Sequence, residues 1–234
     1  GCLFMFGLLL CLLGCQLYYT SDAERTSVEV FNVSSYNKGI HNSVKSSIKV
    51  LCYKDGEFYS KGSGNYLKYS KHKFVLTAAH VVNHCDEIHL VNRLGSTVLG
   101  EVVYQSDGYR DIAVVKPQNE LSETEPVLYK IDKEKTVGEK VYFMGHPDEL
   151  NFFLFEGMVS VDGVDGVFLH STAWGGVSGS VVFNKQGKII GVAKAVKVTI
   201  NPITGLPRLL EDFVLVSKID FLTMETLRDS MGDG

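Results

Sequence analysis

A serine lies among glycines in the run GGVSGS over residues 175–180, directly before the apolar residues Val181, Val182 and Phe183. A nucleophilic serine must expose its hydroxyl on a tight turn, with backbone N–H groups nearby that can bind an oxyanion. Glycines on both sides free the backbone for such a turn. The run therefore predicts that Ser178 is a nucleophile, although Gly/Ser turns between strands also occur without any catalytic role.

A histidine ends the apolar run VLTAAH over residues 75–80. A serine hydroxyl is a weak nucleophile near neutral pH unless a base takes its proton, and the histidine side chain has a suitable pKa. His80 is therefore the predicted general base. The other histidines lack this setting and are expected to be surface or structural residues, with His170 the nearest of them to Ser178: His41, His72, His84, His89, His146 and His170.

An aspartate precedes an apolar run in RDIAVV, residues 110–115. A carboxylate next to a strand that is apolar enough to be buried needs a partner. A histidine N–H is one such partner, because a carboxylate that accepts from it fixes the tautomer and stabilises the imidazolium. Asp111 is therefore either the third member of a catalytic triad or an ordinary aspartate at the start of a strand.

The three residues occur in the order His80, Asp111, Ser178, and their motifs TAAH, DIAVVK and GGVSGS resemble those of trypsin-like serine proteases. The resemblance is closest to the HtrA-type and glutamyl-endopeptidase-like members, and it extends roughly from Ser43 to Ser230. It implies a chymotrypsin-like fold of two β-barrels with the active site between them. It also implies a serine endopeptidase that acts on protein or peptide substrates through an acyl-enzyme, with an oxyanion hole formed by the N–H groups of Gly176 and Ser178.

Among the departures from the family pattern, two residues bear on activity. Val177 stands where activated digestive enzymes have an aspartate that pairs with a freed N-terminus, so activation by that ion pair is excluded. Lys194 stands where family members carry a small residue near the triad aspartate, and it could either pair with Asp111 or point to solvent. These departures leave open the alternative that the chain is a catalytically silent binding module with a protease fold.

The resemblance also implies a substrate pocket. Ala193 stands where glutamate-specific enzymes have a histidine, which argues against glutamate specificity. Val196 could shorten the pocket and favour small aliphatic side chains, or Asp212 could reach its floor and favour Lys or Arg. The first alternative is preferred because Asp212 follows Glu211 and the two could form a solvated pair. The predicted pocket residues are Thr172, Ala173, Ala193, Lys194, Ala195, Val196 and Asp212.

The elements that must position these residues are short β-strands. Twelve runs rich in Val, Ile, Tyr and Phe are each closed by turn-forming or charged residues, a pattern typical of an all-β chain. Small turns between them favour barrels or a sandwich, and two antiparallel barrels of six strands account for the count. The runs are SIKVLCY, NYLKYS, KFVLTAA, EIHLVN, TVLGEVVY, IAVVK, KVYFMG, FFLFEGMVSV, VFLHST, SVVFN, KIIGVAKAV and FVLVS.

The predicted domains are an N-terminal barrel over residues 43–125 and a C-terminal barrel with a terminal helix over residues 126–234. The helix is predicted over Ser217 to Met231, with Ser217 and Asp220 at its start and an apolar stripe of Ile219, Leu222, Met224 and Leu227. With 234 residues and 45% hydrophobic residues, the chain has room for one catalytic unit.

The charge and the cysteines exclude some functions and leave others open. A net charge of −4 without a basic stretch argues against a nucleic-acid partner. No metal-binding spacing such as C-x-x-C or H-E-x-x-H occurs, and neither a metal nor another cofactor is expected. Cys52 and Cys85 could form a disulfide in an oxidising compartment, or stay unpaired and buried.

The N-terminal segment predicts targeting. Residues 1–19 include the uncharged run CLFMFGLLLCLLGCQL, which is shorter than the about 20 residues that span a bilayer but suits a signal or anchor segment. LLGC resembles a lipobox, which makes Cys15 a lipidation candidate. A polar linker is expected over residues 20–42. The chain is therefore expected to be secreted or membrane-anchored and extracytoplasmic, as in a bacterial or phage lipoprotein protease. Because it begins with Gly1, a viral protease released from a polyprotein precursor is the alternative.

Overall fold

The structure, a computed structural model, describes residues 33, 36–147, 150–173, 175–200 and 207–232, and only the backbone of 195–200 and 207–211. The predicted signal segment with Cys15, and most of the predicted linker, lie outside the described residues. Within the described residues, no helix has the length and apolar character needed to cross a membrane.

The described residues form mostly β-structure. Three helices are present among them: α1 (Lys38–Ser46), α2 (Ala79–Val82) and α3 (Met224–Ser230). The strands are β1 (Ser47–Lys54), β2 (Glu57–Tyr69), β3 (His72–Thr77), β4 (Glu87–Val91), β5 (Thr97–Gln105), β6 (Ala113–Pro117), β7 (Val127–Leu128), β8 (Lys140–Gly145), β9 (Phe153–Asp162), β10 (Val167–His170), β11 (Val181–Asn184), β12 (Ile189–Ile200) and β13 (Pro207–Ser217).

The first barrel has the strand order β1-β4-β5-β6-β3-β2 and closes through antiparallel pairing of β1 with β2. Alternate residues of β1 point inward, so Ile48, Val50 and Cys52 are completely buried. The short strand β7 adds to β2 in parallel, outside the closed ring. Closure leaves no free edge among the six strands and gives a rigid wall on which one half of the site is built.

The second barrel has the order β10-β13-β12-β11-β8-β9 and is also closed. Its core contains the stacked rings of Phe143 and Phe155, whose centroids lie 5.1 Å apart, together with aliphatic side chains from the other strands. The predicted architecture of two six-stranded antiparallel β-barrels is therefore confirmed.

Each of the twelve predicted runs contains a strand, but β2 begins eight residues before the predicted start at Asn65. Its early part contains Gly62 and Gly64, which weaken a strand pattern in sequence. Both glycines are needed for packing: a Cβ on Gly62 would lie 2.6 Å from the methyl groups of Val81, and one on Gly64 would lie 2.7 Å from a methyl group of Val75. The glycines therefore mark close packing and not the end of a strand.

The predicted linker ends too late, because α1 already begins at Lys38. The side chain of Asn37 caps this helix by accepting hydrogen bonds from the N–H groups of Gly39 (3.0 Å) and Ile40 (3.1 Å). Ser43 is buried and donates to the carbonyl of Tyr142 in β8 at 3.1 Å. Contacts with the second barrel thus stabilise a segment whose own sequence pattern is weak.

The C-terminal helix is present but shorter than predicted. Ser217 pairs with Val192 as the last residue of β13, and the helix begins at Met224 after the N-cap Thr223, which accepts from Thr226 N at 3.2 Å. Ile219 and Leu222 are buried as expected, but they precede the helix.

The domain boundaries also differ from the predicted ones. Leu222 and Leu227 pack into the core of the first barrel, and the hydroxyl of Tyr129 donates to the carbonyl of Leu222 at 2.9 Å. Val127 and Leu128 pair with β2. The first barrel therefore includes residues beyond 125, and the C-terminal segment packs largely on it, in a cluster that also contains residues of β11 and β12.

Cys52 and Cys85 form a disulfide, with their Cα atoms 5.3 Å apart. The bond joins β1 to the turn that follows α2. It decides between the two alternatives that the sequence left open.

Candidate active site

His80 lies in α2, the single helical turn that follows β3. Its neighbours Ala79, Val81 and Val82 are buried in the core of the first barrel, while the His80 side chain is 48% exposed. Burial of these neighbours anchors the helical turn, and the imidazole of His80 lines a cleft.

Asp111 lies two residues before β6, and its side chain is only 6% exposed. One carboxylate oxygen, Oδ2, lies 2.7 Å from Nδ1 of His80, and the other, Oδ1, accepts from the backbone N–H of His80 at 2.8 Å. An ionised carboxylate only accepts, so Nδ1 carries the proton and Nε2 is left free to act as a base. The two contacts fix both the position and the tautomer of the imidazole.

The turn that carries Ser178 depends on two glycines in left-handed conformations, Gly176 (φ +93°) and Gly179 (φ +92°). A side chain on Gly176 would collide with the carbonyl oxygen of His146, and one on Gly179 would collide with the carbonyl oxygen of Ser63. Only glycine satisfies both the backbone conformation and the space at these positions.

Strand β2 brings this turn next to α2. The N–H of Ser63 donates to the carbonyl of Ser178 at 2.8 Å. The neighbouring Gly62 touches both halves of the site, since a Cβ there would lie 2.9 Å from the carbonyl oxygen of Ser178 and 2.6 Å from the methyl groups of Val81. The serine turn and the helical turn of His80 are thus packed against the same residue.

The hydroxyl of Ser178 donates to the backbone carbonyl of Lys194 at 3.2 Å. No hydrogen bond joins Ser178 to His80 in the described part of the chain. Catalytic hydrogen bonds are often made or tightened only when substrate binds, and rotation about the Cα–Cβ bond redirects a serine hydroxyl.

The N–H groups of Gly176 and Ser178, which were predicted to form an oxyanion hole, both lie in the turn that carries Ser178. Among hydrogen bonds between described residues, none uses the N–H of Gly176 or that of Ser178. The turn is held by other groups, because Ser63 Oγ donates to the carbonyl of Gly176 at 2.7 Å and Ser180 N donates to the carbonyl of Val177 at 3.0 Å. The two N–H groups therefore remain available in a turn whose shape is already fixed.

Val177 is 2% exposed and packs in the core of the second barrel, against Gly145. An aliphatic side chain here holds the serine turn by burial. This agrees with the sequence-based exclusion of an ion pair with a freed N-terminus.

The structure divides the predicted pocket residues into three groups. Ala173 and Ala193 are completely buried in the core of the second barrel, whereas Thr172 and Asp212 are exposed. The backbone of Ala193 supports the site by accepting from Gly179 N at 2.7 Å. The side chains of Ala195 and Val196 lie outside the described residues, so the pocket they were predicted to line stays a prediction.

Lys194 follows neither alternative set out from the sequence. Its ammonium group donates to the backbone carbonyls of Tyr109 (2.9 Å) and Gly108 (3.4 Å), and within the described residues it makes no ion pair with Asp111. It lines a cleft of about 420 Å³ together with the His–Asp pair. The residues lining the cleft are Ala79, His80, Asn83, Gln105, Gly108, Asp111 and Lys194.

His146 is a buried structural residue, as the sequence suggested. Its Nδ1 accepts from the N–H of Phe152 at 3.0 Å, and its carbonyl oxygen lies against Gly176. Burial, reinforced by the nearby charge of Lys49, lowers the pKa of His146 to about 3. The imidazole is therefore neutral, and the backbone of the same residue packs against the serine turn at Gly176.

Sequence reasoning missed Ser63 and Asn65. Asn65 is completely buried; its Oδ1 accepts from Val181 N at 2.9 Å, and its Nδ2 donates to Ser46 Oγ at 2.8 Å. The available signal was the pair of polar residues alternating with glycines in KGSGN, residues 61–65. Polar residues that alternate with glycine inside a strand indicate close backbone approach.

No group of three or more His, Cys, Asp or Glu side chains within the described residues could hold a metal ion.

Comparison with known proteins agrees with this geometry. The model of the trypsin-like peptidase domain matches residues 62–192, which is more than half of the chain. The solved structure of a serine endoprotease from Yersinia pestis is similar, with a TM-score of 0.63 and 22% identity over 85% of this chain and 68% of that one. This likeness supports the fold. No curated protein sequence matches the chain significantly.

Proposed function

The chain belongs to the trypsin-like peptidase domain family, and we propose that it is a serine endopeptidase whose catalytic triad is Ser178, His80 and Asp111. The main support for the proposal is the 2.7 Å contact between His80 Nδ1 and the buried Asp111 carboxylate. The serine turn lies beside this pair because it is hydrogen-bonded to Ser63 of β2 in the same barrel. Both elements are held in place by the chymotrypsin-like pair of closed barrels.

Acylation begins when a bound peptide draws the Ser178 hydroxyl from the Lys194 carbonyl to Nε2 of His80. The oxygen attacks the scissile carbonyl carbon while its proton passes to Nε2, and the N–H groups of Gly176 and Ser178 receive the negative oxygen. Asp111 stabilises the imidazolium that results. Collapse breaks the C–N bond, and His80 returns the proton to the leaving amine, which leaves an ester on Ser178.

Deacylation repeats these steps with water. His80 takes a proton from water, the hydroxide oxygen bonds to the ester carbon, and the C–O bond to Ser178 breaks as His80 gives the proton back to the serine. No group outside the triad and the oxyanion donors is needed for proton balance.

We further propose that the protein works outside the cytoplasm. The uncharged run within residues 1–19 and the Cys52–Cys85 disulfide support this location, because disulfides persist mainly in oxidising compartments. Attachment to a membrane through the N-terminal segment, with Cys15 as a lipidation site, belongs to the same proposal. Metabolic labelling with a fatty acid, lost in Cys15→Ser but kept in Cys11→Ser, would support lipidation; equal labelling of both variants would refute it.

Hydrolysis of an unfolded protein substrate tests the proposed activity. Purified protein should cleave it at internal peptide bonds, and Ser178→Ala should abolish cleavage while its thermal unfolding stays unchanged. Ser180→Ala is a suitable control because Ser180 Oγ is buried and donates to the Met144 carbonyl at 2.8 Å, away from the cleft. Wild-type levels of cleavage by Ser178→Ala would refute the assignment, and undiminished biological function of that variant would favour the binding-module alternative.

A further inference from the structure

The loop over residues 106–111 holds Asp111 outside any strand, and its residues Gly108, Tyr109 and Arg110 are exposed. Asp111 itself has a φ of +53°, a conformation that costs energy for a residue with a side chain. Local hydrogen bonds, such as Asp111 N to the carbonyl of Asp107 at 3.0 Å, shape the loop. They do not fix it relative to the second barrel, where Ser178 lies.

Lys194 supplies that missing connection. Its side chain leaves β12 of the second barrel and donates to two consecutive carbonyls of the loop, those of Gly108 and Tyr109. Its ammonium also lies 5.9 Å from the centre of the Tyr109 ring. A lysine ammonium has three donors, so one cation satisfies two carbonyls that point toward the cleft.

Lys194 also contacts the nucleophile, because its backbone carbonyl accepts the hydroxyl of Ser178 at 3.2 Å. A single residue thus touches the serine through its carbonyl and the aspartate loop through its ammonium. It does so at the position where the resemblance to trypsin-like proteases predicts a small residue.

A second contact joins the same loop to the same barrel. The hydroxyl of Tyr109, which is 62% exposed overall, donates to Asp165 in the loop between β9 and β10. Hydrogen bonding to this carboxylate raises the pKa of Tyr109, which keeps the phenol protonated as a donor. The loop is therefore fastened to the second barrel at two points, through its backbone carbonyls by Lys194 and through the Tyr109 side chain by Asp165.

We propose that Lys194 is a positioning residue that clamps the 106–111 loop to the second barrel and so sets the His80–Asp111 pair against Ser178. The inference rests on the proposed triad. It differs from the substrate-binding role predicted for Lys194 from the sequence, because the ammonium donates to two carbonyls of the protein's own backbone.

Lys194→Met tests the clamp, since it keeps an unbranched side chain of similar length and removes the donors. Small misplacement of catalytic groups is costly, so kcat should fall by about ten- to a hundredfold with KM changed less than about twofold. Lys194→Arg, which can still donate to both carbonyls, should recover most of kcat. Lys185→Met, at an exposed position in the turn after β11, is the matched control and should leave both constants unchanged.

Hydrogen exchange provides a readout that needs no turnover. The amides of residues 107–112 should exchange faster in Lys194→Met than in the wild type, while those of β3 stay protected. If Lys194→Met exchanges faster but the wild type has no peptidase activity, the proposed function is refuted while the contact between Lys194 and the loop is supported. Wild-type kcat in Lys194→Met would overturn the positioning role, as would a raised KM with unchanged loop exchange, which indicates a substrate contact instead.

Discussion

Asp111 makes two hydrogen bonds to His80, one to the ring and one to the backbone, from a buried position. An amide at this position can present its N–H₂ group to Nδ1 and thereby stabilise the wrong tautomer. Asn also tolerates the left-handed backbone conformation that Asp111 adopts, so Asp111→Asn changes the chemistry with little change in the fold.

We expect Asp111→Asn to lower kcat by about 10³- to 10⁴-fold at neutral pH, as loss of the imidazole tautomer does in other serine proteases. Steady-state kinetics on a peptide substrate, together with a melting curve, would measure it. A loss of less than tenfold in a folded variant would show that Asp111 is a structural residue at the start of β6 and no triad member.

The buried imidazole of His146 should make the stability of the protein depend on pH. Its pKa is lowered to about 3 in the folded protein by burial, against 6.5 ordinarily. Above pH 6.5 the ring is neutral in both states and its contribution to stability is complete. As the pH falls from 6.5 toward 3, only the unfolded chain takes up the proton, so the free energy of unfolding decreases by roughly 1 kcal/mol per pH unit.

His146→Asn isolates this effect, because the amide oxygen can accept from Phe152 N but does not titrate. Urea unfolding at pH 7.5, 5.5 and 4.5 should show a steeper loss of stability in the wild type than in the variant. Parallel pH profiles would contradict a buried neutral imidazole.

At the scale of elements, β2 connects both barrels and the site. Its residues Gly62 and Ser63 touch the serine turn, and Asn65 joins α1 to the start of β11. This strand therefore contacts both the serine turn and the helical turn that carries His80.

Asn65→Ala should destabilise the protein by about 1–3 kcal/mol, because the buried N–H of Val181 is left without an acceptor. Chemical unfolding would measure the loss. Ser46→Ala keeps the bond from Val181 N but removes the acceptor of the Asn65 amide group and the hydrogen bond from Ser46 Oγ to the Asn42 carbonyl, and it should cost less. If both variants lose the same free energy of unfolding, the hydrogen bond from Val181 N to Asn65 does not account for the effect of Asn65→Ala.

The elements also show what periodicity can and cannot predict. Strands with a continuous buried apolar run, such as β3 and β6, are predicted correctly because burial on both faces dictates the pattern. The early half of β2 is not predicted as a strand, because its glycines and polar residues make contacts with the other barrel and interrupt the apolar pattern. Helix α1 is missed for a similar reason, since its stability comes from β8 and β11 more than from its own sequence.

At the scale of the whole molecule, the two barrels depend on each other. The C-terminal segment of the chain packs on the first barrel, and the loop of the first barrel that carries Asp111 is held by the second. His80, Asp111 and Ser178 can be proposed as a triad from the sequence because each lies in a motif with its own chemistry. The roles of Lys194 and Ser63 cannot be predicted from sequence. Their side chains donate to backbone carbonyls that are distant along the chain, and only the fold brings these groups together.

The Cys52–Cys85 disulfide closes a loop with a sequence separation of 33 residues around the segment that carries His80. Removing it in a Cys52→Ala/Cys85→Ala variant should cost about 3–4 kcal/mol of stability, by release of the unfolded chain. Thermal unfolding with and without a reductant would test it. The wild type should be destabilised by reductant and the double variant should not; a wild type that is insensitive to reductant would contradict the bond, provided that thiol titration shows complete reduction.

We expect that in this fold His80, as the general base, makes the Ser178 hydroxyl a nucleophile. Reaction with a fluorophosphonate, followed by peptide mapping, tests it most directly because the probe forms a stable bond only with an activated hydroxyl. We predict one adduct per chain, located on Ser178 and lost in both Ser178→Ala and His80→Ala. An adduct on another residue, or undiminished labelling of the folded His80→Ala variant, would contradict the account.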